Sequence, residues 1–198
     1  MNLIKTNIFI KMEKIKIQQG VTLIELMVTV AVVVILMSFA VPGFQQMVAN
    51  NRVESTAEDL RNSILKARNK SMQDSSGHRL SFTSASGGKV TAWDVKDSGG
   101  SDLASETVSD QIVVSEYGES GSVDSIVYND LGYIAGSEDL VRRIFTICHK
   151  DGNPGYMGKA VILFPSGLVM IKNANQSIEH PTDGSTLETD DICPPPAL

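Results

Sequence analysis

Glu25 is the only charged residue in the apolar stretch 21–41. A carboxylate inside a helix of that kind is expensive, so such a group has a partner or a function. The other residues with chemistry to offer are dispersed. Three histidines occur, His78, His149 and His180, and Gly-x-Ser-x-Gly occurs nowhere. Gly118-Glu-Ser-Gly121 is one residue short of a nucleophile elbow and lacks the strand-to-helix setting an elbow needs. Adjacent acids such as Asp190 and Asp191 lie in a polar tail and read as solvated. With no CxxC and no Cys/His cluster, neither a metal site nor a cofactor is expected. The sequence is read as that of a protein without catalytic activity.

Cys148 and Cys193 are the only cysteines. An even count in an exported domain favours a disulfide, with two buried thiols as the alternative. The bridge would close a loop of roughly 45 residues and constrain the unfolded chain by about 4 kcal/mol in the chain-entropy model. It would also tie the Pro-rich tail to the core.

The elements that position these residues start with a basic leader, 1–20, in which Lys5, Lys11, Lys14 and Lys16 outweigh Glu13. The leader carries +3 of a net charge of −6, so the rest of the chain carries −9. Lysines of this kind belong on the cytoplasmic side, which places the following domain outside the cytoplasm. Met12 offers a second start, and the chain beyond the leader is the same either way. Residues 21–41 supply the ~20 apolar residues of a membrane-spanning helix. The run is longer than the core of a conventional secretory signal, and an ordinary signal anchor is the alternative reading. Pro42-Gly43 is expected to bend or loosen the helix. Residues 42–74 then continue as an amphipathic helix whose stripe is Phe44, Met47, Val48, Ala57, Leu60, Ile64, Leu65 and Ala67. Ser75-Ser76-Gly77 ends it.

Residues 75–198 read as short strands and turns. Expected strands are 79–85, 89–95, 111–115, 125–129, 143–148, 160–164 and 168–172, with a loop at 97–102 and Pro165-Ser166-Gly167 as the last turn. From Asn173 the chain reads as polar. At 198 residues this is one globular domain with an anchor. A long helix followed by strands gives an α+β fold, with the second half of the helix packed on an antiparallel sheet.

The stretch Gly20-Val21-Thr22-Leu23-Ile24-Glu25 resembles the type IV prepilin signature, with Val21 where the family usually has Phe. A looser likeness covers 125–172. There Ser125-Ile-Val-Tyr-Asn-Asp-Leu-Gly, Ile144-Phe-Thr-Ile-Cys148 and Ala160-Val-Ile-Leu-Phe-Pro-Ser-Gly-Leu-Val resemble the GspH/FimT group of minor pilins and pseudopilins. The resemblance implies that a prepilin peptidase cuts between Gly20 and Val21 and methylates the new Val21 amine. A small Gly suits an extended backbone entering a protease cleft. It further implies that Glu25 is an assembly carboxylate that pairs with a Val21 amine, since pairing relieves two charges in a low dielectric. The apolar helix would anchor the subunit in the inner membrane and later pack against other subunits in a filament core. Implied partners are other minor pilins and the major pilin, or pseudopilins. Implied sites of residence are the inner membrane, with the C-terminal domain periplasmic, and then the pilus or pseudopilus tip.

The function so implied is a structural subunit of a priming or tip complex. A type II secretion pseudopilin is one alternative. A DNA receptor for natural transformation is the other, because some members of the group bind DNA through basic residues after the Gly of the last strand pair and in the tail. Here that segment is Gly167-Leu168-Val169-Met170-Ile171-Lys172, apolar until Lys172, and the tail adds Glu179, Asp183, Glu188, Asp190 and Asp191. The candidate cations that remain are Arg142, Arg143, Lys150, Lys159 and Lys172, with His149 beside them. Phosphate contacts need such cations clustered.

Overall fold

The computed structural model describes residues 20–85, 88–118, 123, 125–135, 142–152, 157–179, 184–188 and 192–193. Most of the leader therefore lies outside the described residues. So do His180, the Ser-containing part of the near-elbow, Asp183, Asp190, Asp191 and the terminal prolines. The chain separates into two compact units, Met1–Pro42 and Gly43–Leu198.

A single helix, α1 (Leu23–Asp74), runs through both units, with Pro42 inside it. Within the first unit every described residue is exposed. This part of α1 is long and apolar enough to cross a membrane. Its hydroxyl residues turn back onto the helix: Thr29 Oγ1 donates to the Leu26 carbonyl (2.9 Å) and Ser38 Oγ to that of Ile35 (2.7 Å). That is how a lipid-facing helix keeps polar atoms satisfied.

In the second unit α1 buries Ala49, Val53, Ala57, Leu60, Ser63, Ile64, Ala67 and Ser71, at steps of three and four. The expected stripe is corrected at its start. Phe44 and Met47 are exposed, Val48 is half-buried, and the buried face begins at Ala49 and passes through Val53. Phe44 and Met47 extend the apolar character of the preceding span rather than serving this core. The helix ends at Asp74, and the expected Ser75-Ser76-Gly77 ending opens with Ser75 at a left-handed φ of 47°. Ser76 N–H then donates to the Ser71 carbonyl (3.2 Å), the six-to-one bond of a Schellman ending.

Among the described residues ten strands follow: β1 (His78–Ser84), β2 (Lys89–Lys96), β3 (Asp102–Thr107), β4 (Ile112–Glu116), β5 (Ile126–Tyr128), β6 (Arg143–His149), β7 (Lys159–Leu163), β8 (Val169–Asn173), β9 (Ile178–Glu179) and β10 (Thr186–Leu187). The main sheet has the order β5-β1-β2-β4-β6-β7-β8, with β3 beside β2, and the pairings are antiparallel. It curls enough for Phe82 of β1 to stack on Phe145 of β6 at 5.2 Å, although β2 and β4 lie between them in strand order. β9 and β10 form a separate two-stranded sheet. The fold is thus α+β, a long helix packed through its second half on an antiparallel sheet.

Residues 97–101 form the expected loop, but Asp102 opens β3 rather than closing that loop. β3 escaped notice because its burial is almost nil and its sequence, Asp-Leu-Ala-Ser-Glu-Thr, shows no apolar alternation. The polar reading of the chain after Asn173 is also corrected. Ala174, Ile178, Leu187 and Ile192 pack with Ile144, Ala160 and Ile162 in a second apolar cluster. Phe145, Ile147, Val161 and Leu163 point the other way, into the cluster shared with Leu60 and Ile64 of α1. β6 and β7 are therefore covered on both faces, which explains why their sequences read as near-continuous apolar runs.

Candidate functional site

The first site is the head of α1. Thr22 stands just before the first helical residue, and Glu25 N–H donates to Thr22 Oγ1 at 3.3 Å. Leu26 N–H donates to the Thr22 carbonyl at 3.2 Å. Thr22 is thus the N-cap, and Thr22-Leu-Ile-Glu25 has the spacing of a capping box. The sequence carried this signal, and it supplies Glu25 with a local role. A carboxylate in the first turn also meets the positive end of the helix dipole. Gly20 and Val21 lie just before the cap, exposed and outside regular structure. A Cβ built on Gly20 meets nothing within 4 Å among the described residues. The site thus presents an accessible backbone bond, then a capped apolar helix with one acid in its first turn.

The second site is the disulfide. Cys148 of β6 and Cys193 are bridged, with Cα atoms 5.7 Å apart and a sequence separation of 45. Gly158 lies against it: a Cβ there would sit 2.1 Å from Cys193 Sγ. Any side chain at position 158 would displace the bridge.

The candidate cations are mostly held by their own chain. Arg143 makes a two-armed contact with Glu116, Nη2 to Oε2 at 2.7 Å and Nε to Oε1, and lies 5.4 Å from the centre of the Phe145 ring. Arg142 Nη1 pairs with Glu179 Oε2 at 3.0 Å, and Lys159 pairs with Glu54 of α1. Lys172 Nζ donates to the Ser177 carbonyl at 2.7 Å. Lys150 is exposed in the turn after β6. His149 is buried, with Nδ1 3.5 Å from Asp151 Oδ2. His78 is buried too, bound to the Ser76 carbonyl (3.1 Å) and 3.4 Å from Asp74 Oδ2.

Two groups, buried Ser71 and half-buried Arg68, were not singled out by sequence reasoning. Ser71 Oγ lies within 3.0 Å of the carbonyl oxygens of Ser76, Tyr128 and Asn129, stitching the end of α1 to β5. Arg68 donates to the carbonyls of Gly132 (3.0 Å) and Ser166 (3.4 Å), pinning two turns to α1. An open polar cleft of about 520 Å³ is lined by residues that include Arg52, Ser55, Asp59, Thr107 and Asp110. Among the described residues its one hydroxyl–carboxylate contact, Ser55 Oγ donating to Asp59 Oδ2 at 3.4 Å, spans one turn on the exposed side of α1. Among the described residues no three His, Cys, Asp or Glu side chains gather as metal ligands.

Comparison with known proteins agrees with the head of α1. Residues 15–41 match the prokaryotic N-terminal methylation motif. No curated protein sequence matches the chain significantly. Among solved structures, the type IV minor pilin FimU of Pseudomonas aeruginosa in space group P21 is similar at TM-score 0.48 and 16% identity, over 62% of this chain and 89% of that one. The same protein in space group P65 gives 0.46 and 16%, over 60% and 91%. The minor pseudopilin EpsH from the type 2 secretion system of Vibrio cholerae gives 0.49 and 9%, over 63% and 99%. Overlaps this loose leave the weight on residues 15–41 and the geometry they adopt. By that motif, set at the head of a long helix that goes on to pack against an antiparallel sheet, the chain is type IV pilin- or pseudopilin-like.

Proposed function

We propose that this chain is a minor type IV pilin, a structural subunit that helps to start filament assembly with other minor pilins. Prepilin peptidase cuts between Gly20 and Val21 and methylates the Val21 amine. The first half of α1 then holds the subunit in the inner membrane with residues 43–198 in the periplasm. On entry to a filament, Glu25 pairs with a Val21 amine of its own or a neighbouring subunit, and the subunit ends in a tip complex. The observation that carries this reading is the single acid in the first turn of an exposed apolar helix, inside a matched methylation motif. Burying that acid among other helices without a cation would cost several kcal/mol, so a free amine at the same depth is its natural counterpart.

The test is the intact mass of the protein extracted from membranes. The expected species begins at Val21 and carries one added methyl. A chain that keeps its leader, in a strain that trims its other prepilins, would overturn the proposal. A role as a type II secretion pseudopilin uses the same chemistry, and gene neighbourhood separates the two. A DNA-receptor role has less support, because Arg142, Arg143 and Lys159 are each engaged by a carboxylate of this chain. A salt-dependent shift assay on residues 45–198 tests it, and no shift at low salt removes it.

A further inference from the structure

The two faces of β6 and β7 are covered by layers held in different ways. On one face lies α1, continuous and long, contributing Leu60 and Ile64. On the other lies the tail, whose described residues 174–179, 184–188 and 192–193 bring Ile178, Leu187 and Ile192 onto Ile144 and Ile162. Among the described residues the tail does not extend the main sheet, and its ladder is the two-residue pair β9–β10. Besides its apolar contacts, its ties to the sheet include Arg142–Glu179, Lys172 Nζ donating to the Ser177 carbonyl at 2.7 Å, and Ala174 N–H donating to the Gly158 carbonyl at 2.9 Å. The covalent tie is Cys148–Cys193, placed at the far end of the tail. Both cysteines are half-buried, so a thiol reagent can reach them.

We infer that the tail is a strap latched by this disulfide, and that reduction opens the strap while the helix-side core stays folded. The reductant is a dithiol, either a small molecule or a thioredoxin-like protein. Its thiolate attacks one cysteine sulfur, the Sγ–Sγ bond breaks, and a mixed disulfide forms. The second thiol of the reductant resolves it, so the reductant leaves oxidised and the chain keeps two protonated thiols. Without the latch, the strap is held to β6 and β7 by non-covalent contacts alone and is a local opening unit, of the low-stability kind that proteins expose without global unfolding. Opening uncovers Ile144, Ala160 and Ile162. The inference does not depend on the pilin reading, since its test is indifferent to the N-terminus.

The full-length protein in detergent carries its own reporter. Trp93 is the sole tryptophan, is buried on the helix side, and donates from Nε1 to Ser63 Oγ at 3.0 Å. Treatment with dithiothreitol and then iodoacetamide is expected to alkylate both cysteines and leave Trp93 emission unshifted. Amide exchange is expected to rise about tenfold or more in residues 174–179, 184–188 and 192–193 and to stay unchanged in the helix-side residues of α1 and β2. A double variant, Cys148→Ala with Cys193→Ala, should show the same pattern without reagent. Three results would each overturn the inference: a disulfide that resists the dithiol under native conditions, alkylation with no faster exchange in the tail, or a red shift of Trp93 on reduction.

Discussion

At the scale of the residue, Glu25 has two roles that a single substitution separates. In the isolated subunit its backbone N–H donates to the Thr22 cap, a contact that any side chain at position 25 preserves. Its carboxylate adds a favourable interaction with the helix dipole there, and pairs with a Val21 amine in assembly under the proposed function. Glu25→Ala is therefore expected to leave cleavage at Gly20 intact and to reduce incorporation into filaments. Normal pilus numbers in that variant would count against the pairing role. Tyr128 gives a second prediction. Its hydroxyl is buried with no partner among the described residues, and burial holds it well above the ordinary value of 10.0, against a smaller opposite pull from Arg68 and Arg143. The unfolded chain releases this proton near pH 10 while the folded chain keeps it. The stability is fully present below pH 10 and falls as pH rises beyond it, by up to about 1.4 kcal/mol per pH unit. Tyr128→Phe should remove that part of the alkaline limb. At neutral pH it should leave stability unchanged or raise it by up to about 1 kcal/mol, since no hydrogen bond is lost. Denaturant midpoints at neutral pH and above pH 10 check both statements.

At the scale of the element, α1 changes character along its length. Its first half is exposed throughout, and its second half carries one buried stripe. Leu60 is fully buried, whereas Met47 is exposed two residues before the buried stripe begins at Ala49. Leu60→Ala is expected to cost about 2–5 kcal/mol and Met47→Ala less than about 0.5 kcal/mol, measured by urea unfolding of residues 43–198. Equal effects would mean that the stripe is misplaced. The strands show where periodicity speaks and where it is silent. β6 and β7 were legible because both their faces are buried and their runs are nearly all apolar, with Thr146 the one polar residue between Ile144 and Cys148 and none between Ala160 and Leu163. β1 and β2 were legible by alternation, although only the structure decides that Trp93 rather than Ala92 faces the core. β3 and β9 were not legible, because an exposed edge strand and a two-residue pair impose almost no pattern on their sequences.

At the scale of the whole molecule, the chain divides where Pro42 meets Gly43. The second unit has its own helix face, sheet and two apolar clusters, so residues 43–198 are expected to be soluble and to unfold in one cooperative transition without the first unit. Aggregation of that fragment, or a transition with two steps before any reduction of the disulfide, would show that the core depends on the apolar span. The net charge beyond the leader is negative, and three candidate cations are spent on carboxylates of the same chain. The surface that remains suits contacts with other protein subunits better than contacts with phosphate.

The sequence alone determined what local chemistry and periodicity can write down. It set out an apolar span with one acid five residues past a glycine, an amphipathic continuation of that helix, and strands whose burial leaves a repeating mark. Only the tertiary structure decided what depends on distant partners. It brought Cys148 to Cys193, turned a polar-looking tail into a second apolar layer, and gave Arg143 to Glu116 and Lys159 to Glu54. The physical reason is that periodicity records how one element meets water. Pairing between residues tens of positions apart is fixed by how the sheet curls and which of its faces remains to be covered.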